Sequence, residues 1–188
     1  PTTATIRYLL PGGQVVTRTQ DLPAQSRTTI VVNNVIPASD VSMQVTAPQP
    51  IIVERAMYWP GNNWSEAHAS AGIAATGVEW ALAEGEIGGS RGFQTYILLA
   101  NPNAGAATAR LRFLRENGTS FVTPNFTVPG NSRVTRSAGE FMGAGQLVDG
   151  EKFGVVIESL NGVPIAVEHA IYWNGGGEFW GGGSNETG

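Results

Sequence analysis

Apolar and polar residues alternate along most of this chain in short runs. Thr108–Arg115 is the clearest case: Ala109, Leu111 and Phe113 fall on one side and Arg110 and Arg112 on the other. A period of two describes an extended strand with one buried and one wet face. Asn117-Gly118 follows and suits the positive φ angles of a tight hairpin turn. The same pattern predicts strands at Val78–Ala83, Phe93–Ala100, Ser120–Val128, Ser132–Ser137, Phe153–Ser159 and Pro164–Trp173. Earlier in the chain it predicts Ala4–Leu10, Gln14–Leu22, Ser26–Val32, Val41–Thr46 and Pro50–Trp59. No stretch carries a convincing helical period. The Ala-rich Ala67–Ala75 is broken by Gly72, has no polar face, and reads as loop.

These strands fall into a repeat. Val53-Glu54-Arg55-Ala56-Met57-Tyr58-Trp59 returns 114 positions later as Val167-Glu168-His169-Ala170-Ile171-Tyr172-Trp173. Pro23-Ala24-Gln25-Ser26-Arg27 returns 106 positions later as Pro129-Gly130-Asn131-Ser132-Arg133. Self-similarity at this spacing means one structural unit used at least twice. The strand count per unit predicts an all-β fold of two tandem immunoglobulin-like antiparallel β-sandwiches. Ile6 and Tyr8 stand where Leu111 and Phe113 stand, yet nothing ahead of them matches Val78–Ala83 or Phe93–Ala100. The first sandwich therefore lacks its first two strands. The expected division is 1–62 for the incomplete unit, 63–77 for a linker, 78–173 for the complete unit, and 174–188 for a Gly-rich end.

A sandwich short of two strands exposes backbone edges that invite pairing. Strands of a neighbour would complete it, or the flexible C-terminal segment with its aromatic anchors Phe179 and Trp180. This expectation makes self-association, or contact with neighbouring repeats of the same protein, the leading partner. Five tryptophans bear on it. Trp59 and Trp173 end equivalent strands and Trp80 packs at a sandwich end, whereas Trp64 and Trp180 lie among Gly and Asn and are expected at the surface. Contact between domains or subunits is the reading preferred for Trp59, Trp64, Trp173, Phe179 and Trp180. Sugar stacking on exposed indoles is the alternative, which would make the chain a carbohydrate-binding accessory module.

Composition narrows the chemistry. Only 14% of residues are charged, the net charge is −4, and no basic cluster occurs, which argues against nucleic acid. The absence of cysteine removes disulfides and thiolate chemistry. No apolar run approaches the roughly 20 residues of a membrane-spanning helix. The two histidines, His68 in the linker and His169 on a strand rim, have no acid and nucleophile spaced for a relay. No ligand spacing for zinc or calcium is visible. Glu54 and Glu168 recur, as do Arg27 and Arg133, and are read as structural polar pairs, since fold-holding contacts recur in repeats whereas a catalytic dyad need not. The expectation is a non-enzyme without a cofactor.

Four ordered motifs carry a resemblance: Met57-Tyr58-Trp59, Ala67-His68-Ala69, Trp80-Ala81-Leu82-Ala83-Glu84-Gly85, and Tyr96-Ile97-Leu98-Leu99-Ala100-Asn101-Pro102. Together they make the chain similar to tandem β-sandwich repeats of large secreted or surface proteins of bacteria, a family without a defined activity. The resemblance implies an extracellular or cell-surface location and a structural module. A polymerising role through strand complementation is the sharper form of that expectation.

Overall fold

The computed structural model describes residues 1–59 and 64–188. The expected boundary between residues 62 and 63 lies outside them. Among the described residues the chain is all-β with antiparallel strand pairing, and its helical elements are three short 3-10 turns. The first unit contributes β1 (Thr2–Leu9), β2 (Val15–Leu22), β3 (Ser42–Thr46), β4 (Glu54–Trp59) and β5 (Glu66–Ala71). The second contributes β6 (Glu79–Leu82), β7 (Glu86–Ile87), β8 (Gln94–Asn101), β9 (Ala107–Arg115), β10 (Ser120–Val122), β11 (Phe126–Val128), β12 (Ser132–Ser137), β13 (Glu151–Ser159), β14 (Ala166–Gly175) and β15 (Glu178–Thr187).

The second unit is β-sandwich-like. One sheet runs β10-β9-β13-β6, with β11 also on β9, and the other runs β12-β8-β14-β15. Alternate residues of β9 and β13 (Leu111, Phe113, Val155, Ile157) meet Ile97, Leu99 and Val167 of the facing sheet in one buried cluster. Each such side chain contributes about 1.5–3 kcal/mol by leaving water. Phe113 anchors the cluster, with Phe153 edge-on at 5.1 Å between ring centroids. The strand expected over Ser120–Val128 is split into β10 and β11, because Thr123 turns inward and its hydroxyl accepts the Leu111 N–H.

The first unit builds one sheet of that sandwich and a detached hairpin. Its sheet runs β2-β1-β3, the counterpart of β10/β11-β9-β13. The registers agree: Tyr8 pairs Met43 and Ile6 pairs Val45, as Phe113 pairs Val155 and Leu111 pairs Ile157. In the second unit β13 also carries β6 on its other edge, with Leu82 opposite Val155 and Trp80 opposite Ile157. Among the described residues β3 has no strand there. Nor does any described strand stand where β8 stands, between β12 and β14.

That second absence corrects one expectation. Ser26–Val32 is not a strand. Its counterpart β12 is held extended by pairing with β8 from Ser132↔Asn101 to Ser137↔Tyr96, and without a β8 counterpart the segment has no ladder to join. It folds over the sheet instead, so that Ile30, Val32 and Ile36 cover Ile6, Tyr8 and Leu10. Two further expectations change. Ala67–Ala75, read as loop within a linker, begins in β5, which pairs β4 from Trp59↔Glu66 to Glu54↔Ala71. The Gly-rich end, read as a flexible donor, is β15, paired to β14 from Glu168↔Thr187 to Trp173↔Gly182. Its glycines are there for close approach. A Cβ on Gly182 would stand 2.5 Å from the Trp173 indole, and one on Gly183 would stand 2.9 Å from both Trp59 and Tyr172.

Candidate functional site

β14 lies between β8 and β15, so both of its edges are paired. Alternation sends Val167, His169 and Ile171 into the sandwich and Glu168, Ala170 and Tyr172 outward. The β4–β5 hairpin lies on that outward face and makes a polar and aromatic seam. Arg55 meets the Glu168 carboxylate through both terminal guanidinium nitrogens, one at 3.1 Å and the other closer. Ser70 donates to the same carboxylate at 3.2 Å and Asn185 at 2.5 Å. The pair is mostly withdrawn from water, with Arg55 25% and Glu168 17% exposed.

Beside the pair is an aromatic stack. Trp180 lies flat on Tyr172 at 4.6 Å, and Trp59 meets Tyr172 edge-on at 5.3 Å. The Trp59 indole N–H donates to the Trp180 carbonyl at 2.8 Å. His68, on β5 rather than in a linker, lies 5.1 Å from Trp59 and within 3.3 Å of the Tyr172 hydroxyl. Burial pulls its imidazole pKa down, and the nearby Arg55 guanidinium acts the same way.

The predicted contact residues thus separate. Trp59 and Trp180 meet in the seam, and Trp180 is partly buried rather than at the surface as expected. Trp173 turns the other way, toward Phe93 at 5.6 Å and under the Arg91 guanidinium at 5.9 Å. Trp64 and Phe179 stay exposed. The recurrent acids and arginines do not pair with one another. Glu168 takes Arg55, and Arg133 takes Asp40 at 2.8 Å and the Thr135 hydroxyl at 2.7 Å. Burial lowers the Arg133 guanidinium pKa, and Asp40 works against that shift. Glu54 and Arg27 are exposed and make no ion pair among the described residues. The importance of Arg55 was hidden from sequence because its partner sits in the other copy and its own counterpart is His169.

His169 is a further correction. Expected on a rim, it is 1% exposed inside the sandwich, and neither ring nitrogen has a hydrogen-bond partner. Burial pushes its pKa down, and Glu186, Glu84 and Glu168 offset this only in part. The folded chain therefore holds His169 neutral at pH values where an unfolded chain, with an imidazole pKa of about 6.5, takes up a proton. The stability that depends on neutral His169 is complete above that value and falls as pH drops through it, by up to about 1.4 kcal/mol per pH unit. Urea denaturation at pH 7.5 and 5.5 is expected to show this loss, and His169→Leu to remove much of it.

A cleft of about 570 Å³ opens at one end of the sandwich, lined by Glu84, Arg91, Phe93, Arg115, Lys152 and Trp173 among others. It mixes charges of both signs and holds neither histidine. Among the described residues no group of three or more His, Asp or Glu side chains could hold a metal ion, and no helix is long and apolar enough to cross a membrane.

No protein-family model matches the chain, and no curated protein does. Solved structures do. The Thermotoga maritima protein 1070 aligns over 60% of this chain and 93% of its own, at 14% identity and a TM-score of 0.52. The Anabaena sensory rhodopsin transducer aligns over 52% of this chain and 91% of its own, at 20% identity and a TM-score of 0.43. At such identities likeness is one of fold, and here it rests on the Thermotoga protein.

Proposed function

We propose that this chain is a non-catalytic structural module of an extracellular bacterial protein, which assembles by accepting a strand from a neighbouring subunit or repeat. The observation that carries this reading is the bare edge of β3. Its counterpart β13 holds β6 by four register pairs, Val155↔Leu82 to Glu158↔Glu79. From β6 the Trp80 indole N–H donates to the Ile165 carbonyl at 2.9 Å, and just ahead of the strand Gly77 bridges Ile165. In the first unit Met43, Val45 and Ile51 occupy the places of Val155, Ile157 and Ile165, and among the described residues no strand pairs the edge of β3 away from β1. An open edge of matched register is a template for strand addition.

The seam supports the same reading, since its one carboxylate, Glu168, is taken up by Arg55, Ser70 and Asn185. The C-terminal segment is not the donor, because β15 already serves β14 within the chain. Light scattering is expected to show a mass that grows with concentration above the 19.8 kDa of one chain. The Arg7↔Gln44 pair turns its amides inward between β1 and β3, so the Val45 amide faces the open edge. Val45→Pro removes that N–H and is expected to hold the chain at one copy. A wild-type chain of 19.8 kDa at every concentration removes association between subunits.

A further inference from the structure

The seam that covers the second unit has a counterpart in the first that nothing covers. Hairpin register makes the equivalence explicit. Tyr172 pairs Gly183 and Ala170 pairs Asn185 in the second hairpin, as Tyr58 pairs Ala67 and Ala56 pairs Ala69 in the first. Counting back along the returning strands places Trp64 where Trp180 stands. Both tryptophans have the same left-handed backbone, φ 51° and 54°, which bulky residues rarely adopt. Both face the equivalent tyrosine, Trp180 at 4.6 Å from Tyr172 and Trp64 at 6.2 Å from Tyr58. Glu54 precedes Tyr58 by four residues, as Glu168 precedes Tyr172.

The same platform of Glu, Tyr and Trp is thus built twice. On the second copy Arg55 pairs with the glutamate, and Trp59 stands edge-on to the tyrosine while donating to the tryptophan carbonyl. On the first copy Glu54 makes no ion pair among the described residues, Tyr58 is 60% exposed and Trp64 is 68% exposed. Around them Ala56, Ala67, Ala69 and Ala71 give a flat, small-residue surface open to solvent. An unpaired carboxylate beside exposed aromatic rings on a flat sheet fits a cation and an indole held at a fixed spacing.

We infer that the outer face of the β4–β5 hairpin, centred on Glu54, Tyr58 and Trp64, is a docking platform for a second β-hairpin. That hairpin presents an arginine and a tryptophan four residues apart on one face, as Arg55 and Trp59 are presented by β4 itself. The arginine meets Glu54, and the tryptophan stands against Tyr58 with its N–H on the Trp64 carbonyl. Docking of this kind stacks hairpins face to face along a row of repeats and leaves the β3 edge free, so it does not depend on strand addition there.

The probe is a synthetic peptide of residues 53–72 closed into a hairpin by a disulfide between added terminal cysteines. The intact chain has no cysteine to interfere. Titration against the chain is expected to give saturable binding, weakened about tenfold or more by Trp64→Ala and severalfold by Glu54→Gln in the protein. Arg55→Ala or Trp59→Ala in the peptide is expected to do the same. Glu54 and Trp64 are exposed, so unchanged circular dichroism and melting of the variants show that folding is not at issue. Binding indifferent to both protein substitutions means the peptide displaces the chain's own hairpin from Glu168, and overturns the inference. So does absence of binding by the wild type. A glycan array positive for the wild type and silent for Trp64→Ala, with no hairpin binding, assigns the platform to sugar instead.

Discussion

Deleting residues 174–188 is expected to destabilise the second unit by on the order of 5 kcal/mol. β15 pairs β14 over six consecutive positions from Glu168 to Trp173. A net of about 1 kcal/mol per backbone hydrogen bond already accounts for most of that figure. The deletion also uncovers His169 and Ile171, which are nearly inaccessible in the intact chain. Typical domains have only about 5–15 kcal/mol in hand, so the truncated chain should be unfolded or molten at physiological temperature. Thermal melting followed by near-ultraviolet circular dichroism reads this directly. A truncated chain that melts like the intact one would mean that β15 is an accessory strap and that a C-terminal donor role is open again.

Glu168→Ala carries the second large effect, and it is confined to one place. The carboxylate accepts from Arg55, Ser70 and Asn185 together, and its removal leaves the half-buried Arg55 guanidinium without an anion. Hydrogen bonds to charged groups are worth about 1.5–3 kcal/mol each, and partial solvent access reduces the sum. A loss of about 2 kcal/mol in hairpin docking is expected, with the sandwich core unaffected because Leu111 and Phe113 lie on the far side of the sheet. Amide exchange should quicken in Glu66–Ala71 and stay slow in Ala107–Arg115. Glu168→Gln, which keeps acceptors but no charge, should fall between. Equal acceleration of both segments would show that the seam holds the whole molecule together.

The strand pattern was legible because its cause is local. Alternation in Thr108–Arg115 and the Asn-Gly turns place strands whatever their partners. What escaped was set by partners distant in sequence. Ser26–Val32 has strand-like residues, yet its counterpart β12 is held extended by β8, and among the described residues no strand pairs Ser26–Val32. Glycine was misread for the same reason. Gly181-Gly182-Gly183 looks flexible in sequence, but its missing side chains make room for Trp173, Tyr172 and Trp59, which come from two other strands. His169 replaced an arginine, and that exchange suggested a rim. Its place opposite Ile97, on a strand with neighbours at both edges, put it inside. The Arg55–Glu168 pair crosses from one copy to the other, and comparison of equivalent positions cannot reveal a contact between non-equivalent ones.

The repeat also gives the platform around Glu54 its meaning, since one copy shows what covers such a face. The β3 edge follows the same logic, with β6 on β13 as its template. That edge is where the account is most directly exposed to test. Hydrogen exchange of the β3 segment, Ser42–Thr46, should be followed across a dilution series of the intact chain. If the edge accepts a strand from a neighbour, its outward amides at Met43 and Val45 will exchange more slowly as concentration rises, β9 will not change, and Val45→Pro will abolish the dependence. Exchange in β3 that is the same at every concentration would contradict it.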